Sequence, residues 1–160
     1  MKQLPAYPVD RYDEHLVLKI PTLLWFVMLF LVRHAILVLL SFLPRTADAM
    51  TYLRDLVDPL FLLADVPAAV VLFAAVRRKP GVPGWIPALW QRGRPLLASS
   101  ALLYLLLLIA SLATSARPLL PTVNEALILS ILLNLAIFAW LVRSPLVKDV
   151  FADFPVESNH

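Results

Sequence analysis

Four long apolar runs constrain this chain more than any other feature of its sequence. They occupy 20–43, 56–76, 95–115 and 123–142, and none is shorter than 20 residues. A helix needs about 20 mostly apolar residues to cross the ~30 Å hydrocarbon layer of a bilayer. Backbone polar groups in lipid must be satisfied within the segment, so each run reads as a helix. Strands of a membrane barrel would be ~10 residues long with alternating polarity, and no such alternation is present. The expected fold is an all-α integral membrane protein with four transmembrane helices.

Composition agrees. Apolar residues make up 61% of the chain and charged residues 16%, with a mean hydropathy of +0.81. A soluble domain is about half apolar and a quarter charged, so a water-soluble globule is excluded, and so is disorder. Cysteine is absent, which removes disulfides and thiolate metal sites. A cleaved leader is the alternative for the first run, with Ala47-Asp48-Ala49 in the form of a cleavage site. That run is too long for a leader core of about 7–15 residues, and Asp10, Asp13 and Glu14 precede it. Residues 1–160 therefore read as one membrane domain with an N-terminal tail (1–19), a long loop (77–94) and a C-terminal tail (143–160).

Basic residues orient the helices. Lys2, Arg11 and Lys19, then Arg77, Arg78, Lys79, Arg92 and Arg94, then Arg143 and Lys148 fall on one side; only Arg45, Arg54 and Arg117 fall on the other. Positive charge is retained in the cytoplasm, so both termini are expected there. Trp85 and Trp90 lie in the cytoplasmic loop, where such rings favour headgroup level. The net charge of +3 thus points to lipid rather than nucleic acid. The loop set Arg77, Arg78, Lys79, Arg92, Arg94, Trp85 and Trp90 reads as a topology signal against anionic headgroups. Its sharper alternative is a docking surface for an acidic partner or a lipid headgroup.

Ionisable residues inside the spans are costly unless paired or hydrated. Arg33 and His34 lie near the middle of the first run, and Asp58 and Asp65 share one face of the second. At 1.5 Å per residue, Arg33 is ~20 Å and Asp65 ~17 Å from the cytoplasmic side. Antiparallel neighbours would bring them level, so an intramembrane Arg33–Asp65 ion pair is expected, with His34 nearby. Such a cluster serves either as glue between helices or as part of a proton relay. Asp58-Pro59 and Asp65-Val66-Pro67 predict a bent second helix. Ser100, Tyr104, Ser111 and Ser115 form a polar stripe on the third run, and Glu125, Ser130 and Asn134 lie on the fourth. The spans hold no glycine, and Ala64 and Ala68 offer close approach instead.

Motifs for catalysis are missing. His15, His34 and His160 have no metal-ligand spacing, and there is no phosphate-binding glycine loop or nucleophile elbow. No enzyme activity, metal or cofactor is expected.

The tails carry a resemblance. Tyr12-Asp13-Glu14-His15-Leu16-Val17-Leu18-Lys19-Ile20-Pro21 leads into the first run, and Leu146-Val147-Lys148-Asp149-Val150-Phe151-Ala152-Asp153-Phe154-Pro155 follows the last. This layout resembles the YfeZ-like family of small bacterial inner-membrane proteins without an assigned activity. The resemblance implies four helices and an inner-membrane location, and it carries over no catalytic residue. Phe151, Asp153, Phe154 and Pro155 read either as packing on the cytoplasmic end of the bundle or as a short contact for a partner. The two tails, on one side, are placed to pack together. The expected role is an accessory or interaction subunit in contact with the bilayer and with a membrane-protein partner or further copies of itself. The alternative is a small transporter or ion- or proton-conducting protein with Arg33, His34, Asp58 and Asp65 around its pathway.

Overall fold

The computed structural model describes residues 7–13, 15–42, 59–114 and 125–155. Among these it holds seven α-helices and no strand: α1 (Thr22–Leu31), α2 (Arg33–Leu40), α3 (Phe61–Val76), α4 (Trp85–Gln91), α5 (Gly93–Thr114), α6 (Glu125–Arg143) and α7 (Pro145–Ala152). A single 3-10 turn, Val9–Arg11, precedes them. α5 and α6 are each long and apolar enough to cross a membrane, and α1 with α2 makes a third such unit if the bent pair is one span. α3 is shorter, at 16 residues: Pro59 and Leu60 before it form a turn, and the part of its run before residue 59, Asp58 included, lies outside the described residues.

α3 packs on α5 and α5 on α6, while α1 and α2 both lie against α3. Small side chains allow this approach. Ala68, Ala74 and Ala75 are buried along α3 in one core with Leu24, Met28 and Leu31 of α1 and Leu97 and Ala101 of α5, and Ala64 is buried with Tyr104 and Leu108 of α5. The outward stripe of α5 is Leu102, Leu106 and Ile109, and that of α6 includes Leu129 and Leu132, all exposed. A water-facing helix carries polar residues there; these faces suit hydrocarbon.

The first run is not one straight helix. It breaks at Val32 (φ −99°, ψ 13°), and α1 and α2 meet at a 64° bend. α3, by contrast, continues as one helical element through Pro67. Proline removes a backbone donor from the ladder, and Ser100 of α5 donates its hydroxyl to the nearby Ala64 carbonyl at 2.5 Å. The N–H that Pro67 lacks would have met the Leu63 carbonyl, four residues back; the Ser100 bond ties α5 to α3 one residue further on.

The long loop is also structured. It contains α4, and a further short helix, α7, follows α6. Pro145 opens α7, and Ser144 caps it by accepting the Val147 N–H.

Candidate functional site

The break at Val32 creates the polar centre of the bundle. A helix start leaves backbone N–H groups without carbonyl partners, and here they lie inside an apolar bundle. Val32 has no side chain able to cap α2. Asp65 supplies the acceptor from α3: its Oδ2 takes the Ala35 N–H at 2.8 Å. Its Oδ1 lies 2.9 Å from His34 Nδ1. The two share one proton across this contact, since one of them must donate: Nδ1–H to an ionised carboxylate, which only accepts, or a carboxyl O–H to a bare Nδ1. A negative group at a helix start is also favoured by the helix dipole. Asp65 is 2% exposed, and both of its oxygens are engaged.

Aromatic rings enclose the rest. His34 stacks on Phe61 and on Tyr104, each with centroids 5.5 Å apart. The Arg33 guanidinium lies 4.3 Å from the Phe30 ring centre and 4.4 Å from that of Tyr104. It donates to the Phe30 carbonyl at 2.9 Å and to Ser130 Oγ at 3.3 Å. Ser130 Oγ is in turn 2.9 Å from the Tyr104 hydroxyl. Asn134 donates to the Ser130 carbonyl at 2.8 Å, and its own Oδ1 is buried without a partner among the described residues.

The expected Arg33–Asp65 ion pair is therefore not formed; His34 takes the carboxylate. The estimate of depth brought the right residues level. It did not determine rotation, and consecutive helical residues point about 100° apart. With α2 turned at Val32, residue 34 faces α3 and residue 33 faces the rings of Phe30 and Tyr104. Phe30 and Phe61 were not singled out from the sequence. The only signal for Phe30 was its position three residues before Arg33, on the same helix face.

A second polar cluster joins the two tails to the loop. Arg78 donates to the carbonyls of Leu18 (2.8 Å) and Asp153 (3.0 Å), and its guanidinium lies 5.0 Å from the Trp90 ring centre. Burial lowers its pKa, partly offset by Asp13 and Asp153. Trp90 is fully buried, and its indole N–H donates to the carbonyls of Val150 (2.9 Å) and Asp153 (3.1 Å). Leu18 N–H donates to Asp153 Oδ2 at 2.9 Å, and the Tyr7 hydroxyl to Asp149 Oδ2 at 2.7 Å. Arg94 donates through Nε to the Leu141 carbonyl at 2.7 Å and through Nη2 to that of Val142.

These contacts correct the headgroup reading for Trp90, Arg78 and Arg94, each of which donates to backbone carbonyls; Arg78 Nε is buried without a hydrogen-bond partner among the described residues. Arg77, Lys79 and Arg92 remain exposed, and Trp85 is half-exposed and stacked on Phe73 at 6.0 Å. The partner-contact reading of the C-terminal tail is corrected in the same way. Phe151 is 2% exposed, Pro155 is buried and Phe154 half-buried. Phe151 packs on Trp90 at 4.6 Å and fills the space over Gly93, where any Cβ would overlap its ring. No group of metal-ligating side chains occurs among the described residues.

The chain is matched over residues 7–153 by the model of a family described as proteins of unknown function, DUF2919, and it belongs to that family. The match runs from Tyr7 to Asp153, the two ends of the tail junction. No curated protein and no solved structure matches the chain.

Proposed function

We propose that this chain is a four-span protein of the bacterial inner membrane, with both termini cytoplasmic, serving as a non-enzymatic accessory or interaction subunit. The observation that carries the role is the saturation of Asp65, which is buried and engaged through both oxygens by Ala35 and His34. A conducting carboxylate must be reached by water and change partners; this one holds the start of α2 in place. Its role on this reading is to set how the first span turns, and so to shape the outer face of the bundle.

Four spans follow from counting α3 with the apolar residues before it, which reach the ~20 needed for a crossing. The basic residues at 77–94 and in both tails support cytoplasmic termini. We read the chain as a YfeZ-like member of its family on the strength of its two tail sequences. Because it has no native cysteine, single cysteines introduced at exposed positions test the topology directly. Residues 79 and 148 should react with impermeant thiol reagents only from the cytoplasmic side.

A second reading has one observation in its favour. A span broken by 64° beside a carboxylate and an imidazole is an arrangement that transporters use to line a site. Reconstitution in liposomes separates the two. The accessory reading expects no proton or ion flux above empty vesicles, and a stoichiometric partner or self-assembly after gentle solubilisation. Flux that disappears in Asp65→Asn would overturn it in favour of transport.

A further inference from the structure

Two open cavities flank the end of α6 that carries Trp140 and Val142. The one between α5 and α6, about 430 Å³, has mainly apolar walls such as Leu102 and Phe138, and its one cation, Arg94, is committed to the carbonyls of Leu141 and Val142. The other, about 460 Å³, differs in kind. Asp10, Arg11 and Lys19 line it together with the apolar Ile20, Leu23 and Trp140.

Backbone pairing places its two cations. Tyr12 and Leu18 form an antiparallel bridge, and Lys19 donates its N–H to the Arg11 carbonyl at 2.8 Å. The two cations are thereby held at one edge. Lys19 Nζ also donates to the Asp10 carbonyl at 3.1 Å, and among the described residues no carboxylate pairs with Arg11 or Lys19 within ion-pair distance. Among the described lining residues, two cations and one carboxylate leave one positive charge. Leu23 is among its lining residues, and Phe26, three residues on along α1 and so on the same helix face, is exposed like Leu23.

We propose that this cavity seats the headgroup of an anionic phospholipid, with its phosphate against Arg11 and Lys19 and its acyl chains along Leu23 and Phe26. A single net negative charge balances the site, and cationic pockets at the cytoplasmic ends of membrane helices recognise such headgroups. An acidic peptide would meet the charge but leave Leu23 and Phe26 uncovered. The proposal rests on the reading that α1 enters the bilayer at Pro21, with the N-terminal tail at headgroup level.

The test reconstitutes the full chain in phosphatidylcholine bilayers containing either phosphatidylglycerol or phosphatidylethanolamine, then counts retained lipid by native mass spectrometry after gentle detergent release. Phosphatidylglycerol should be retained in preference to both others. Its retention should fall about tenfold in the R11Q/K19Q double variant, at unchanged melting temperature, and be kept in R11K/K19R. Equal retention of phosphatidylethanolamine, or undiminished phosphatidylglycerol retention in R11Q/K19Q, would overturn the site. Displacement of phosphatidylglycerol by a soluble acidic peptide would overturn the choice of a lipid. Release of the chain from membranes by alkaline carbonate would overturn the membrane placement instead, and the two failures are told apart.

Discussion

Asp65 on α3 accepts the backbone N–H of Ala35, 30 residues earlier in the chain, at 2.8 Å, and so caps the start of α2. The same carboxylate meets the His34 ring. One side chain thus serves both a backbone donor exposed by the break at Val32 and an imidazole beside it. Losing it would leave both without a partner in an apolar setting.

Replacing Asp65 by Ala should destabilise the protein by about 2–4 kcal/mol, because a buried donor left unsatisfied costs ~1–3 kcal/mol and two groups are affected. Asp65→Asn keeps an acceptor for Ala35 and should cost less. Thermal unfolding in detergent checks the order. The charge-reversal swap of Arg33 with Asp65 should be no more stable than the worse single variant, since the two are not partners. A His34/Asp65 double-mutant cycle should give a coupling of about 1 kcal/mol or more. A rescue by the swap would restore the direct ion pair.

Trp90→Phe keeps the ring on Phe151 but deletes the donor shared by Val150 and Asp153. A net loss of about 1–2 kcal/mol is expected for a buried hydrogen bond. The effect should be local: limited proteolysis should cut faster in 144–155 while the bundle stays protected. Cutting that is unchanged would mean that the indole N–H does not hold the tail.

Gly93→Ala should be destabilising although α5 would otherwise gain from alanine, because the added Cβ overlaps the Phe151 ring. Combining it with Phe151→Leu should recover part of the loss. The melting temperatures of the two single variants and the double variant decide the point, and additive losses would exclude a clash between these two residues.

Tyr7 has its pKa raised above the usual 10, first by the hydrogen bond it donates to Asp149 and then by burial. A raised folded-state pKa means that the Tyr7 tie is fully present below pH ~10. It is lost as pH rises through the folded value, when the phenolate faces the carboxylate. Titration of a ring-labelled Tyr7 by NMR should show the late ionisation. Asp149→Asn should bring it down towards ~10.

Much of this was legible along the chain. Hydrophobic runs of bilayer length determine that the chain is helical and apolar on its outside, because lipid leaves the backbone no other partner. The helical rise of 1.5 Å per residue brought residues 33, 34 and 65 to one level. The alanines of α3 were readable as places of close approach, and the tails as neighbours on one side.

Rotation and partnership were decided only by the tertiary structure. Whether residue 33 or 34 meets Asp65 depends on how α2 turns at Val32, and Val32 carries no glycine or proline signal of a break. The break persists because Asp65, distant in sequence, takes the donor it exposes. Trp90 shows the same principle at the other cluster. A tryptophan in a basic loop reads as a headgroup anchor, yet its N–H goes to carbonyls of a tail 60 residues away. Apolar length is a property of each segment and is written in its own residues. The partner of a buried polar group belongs to two segments at once, and their packing settles it.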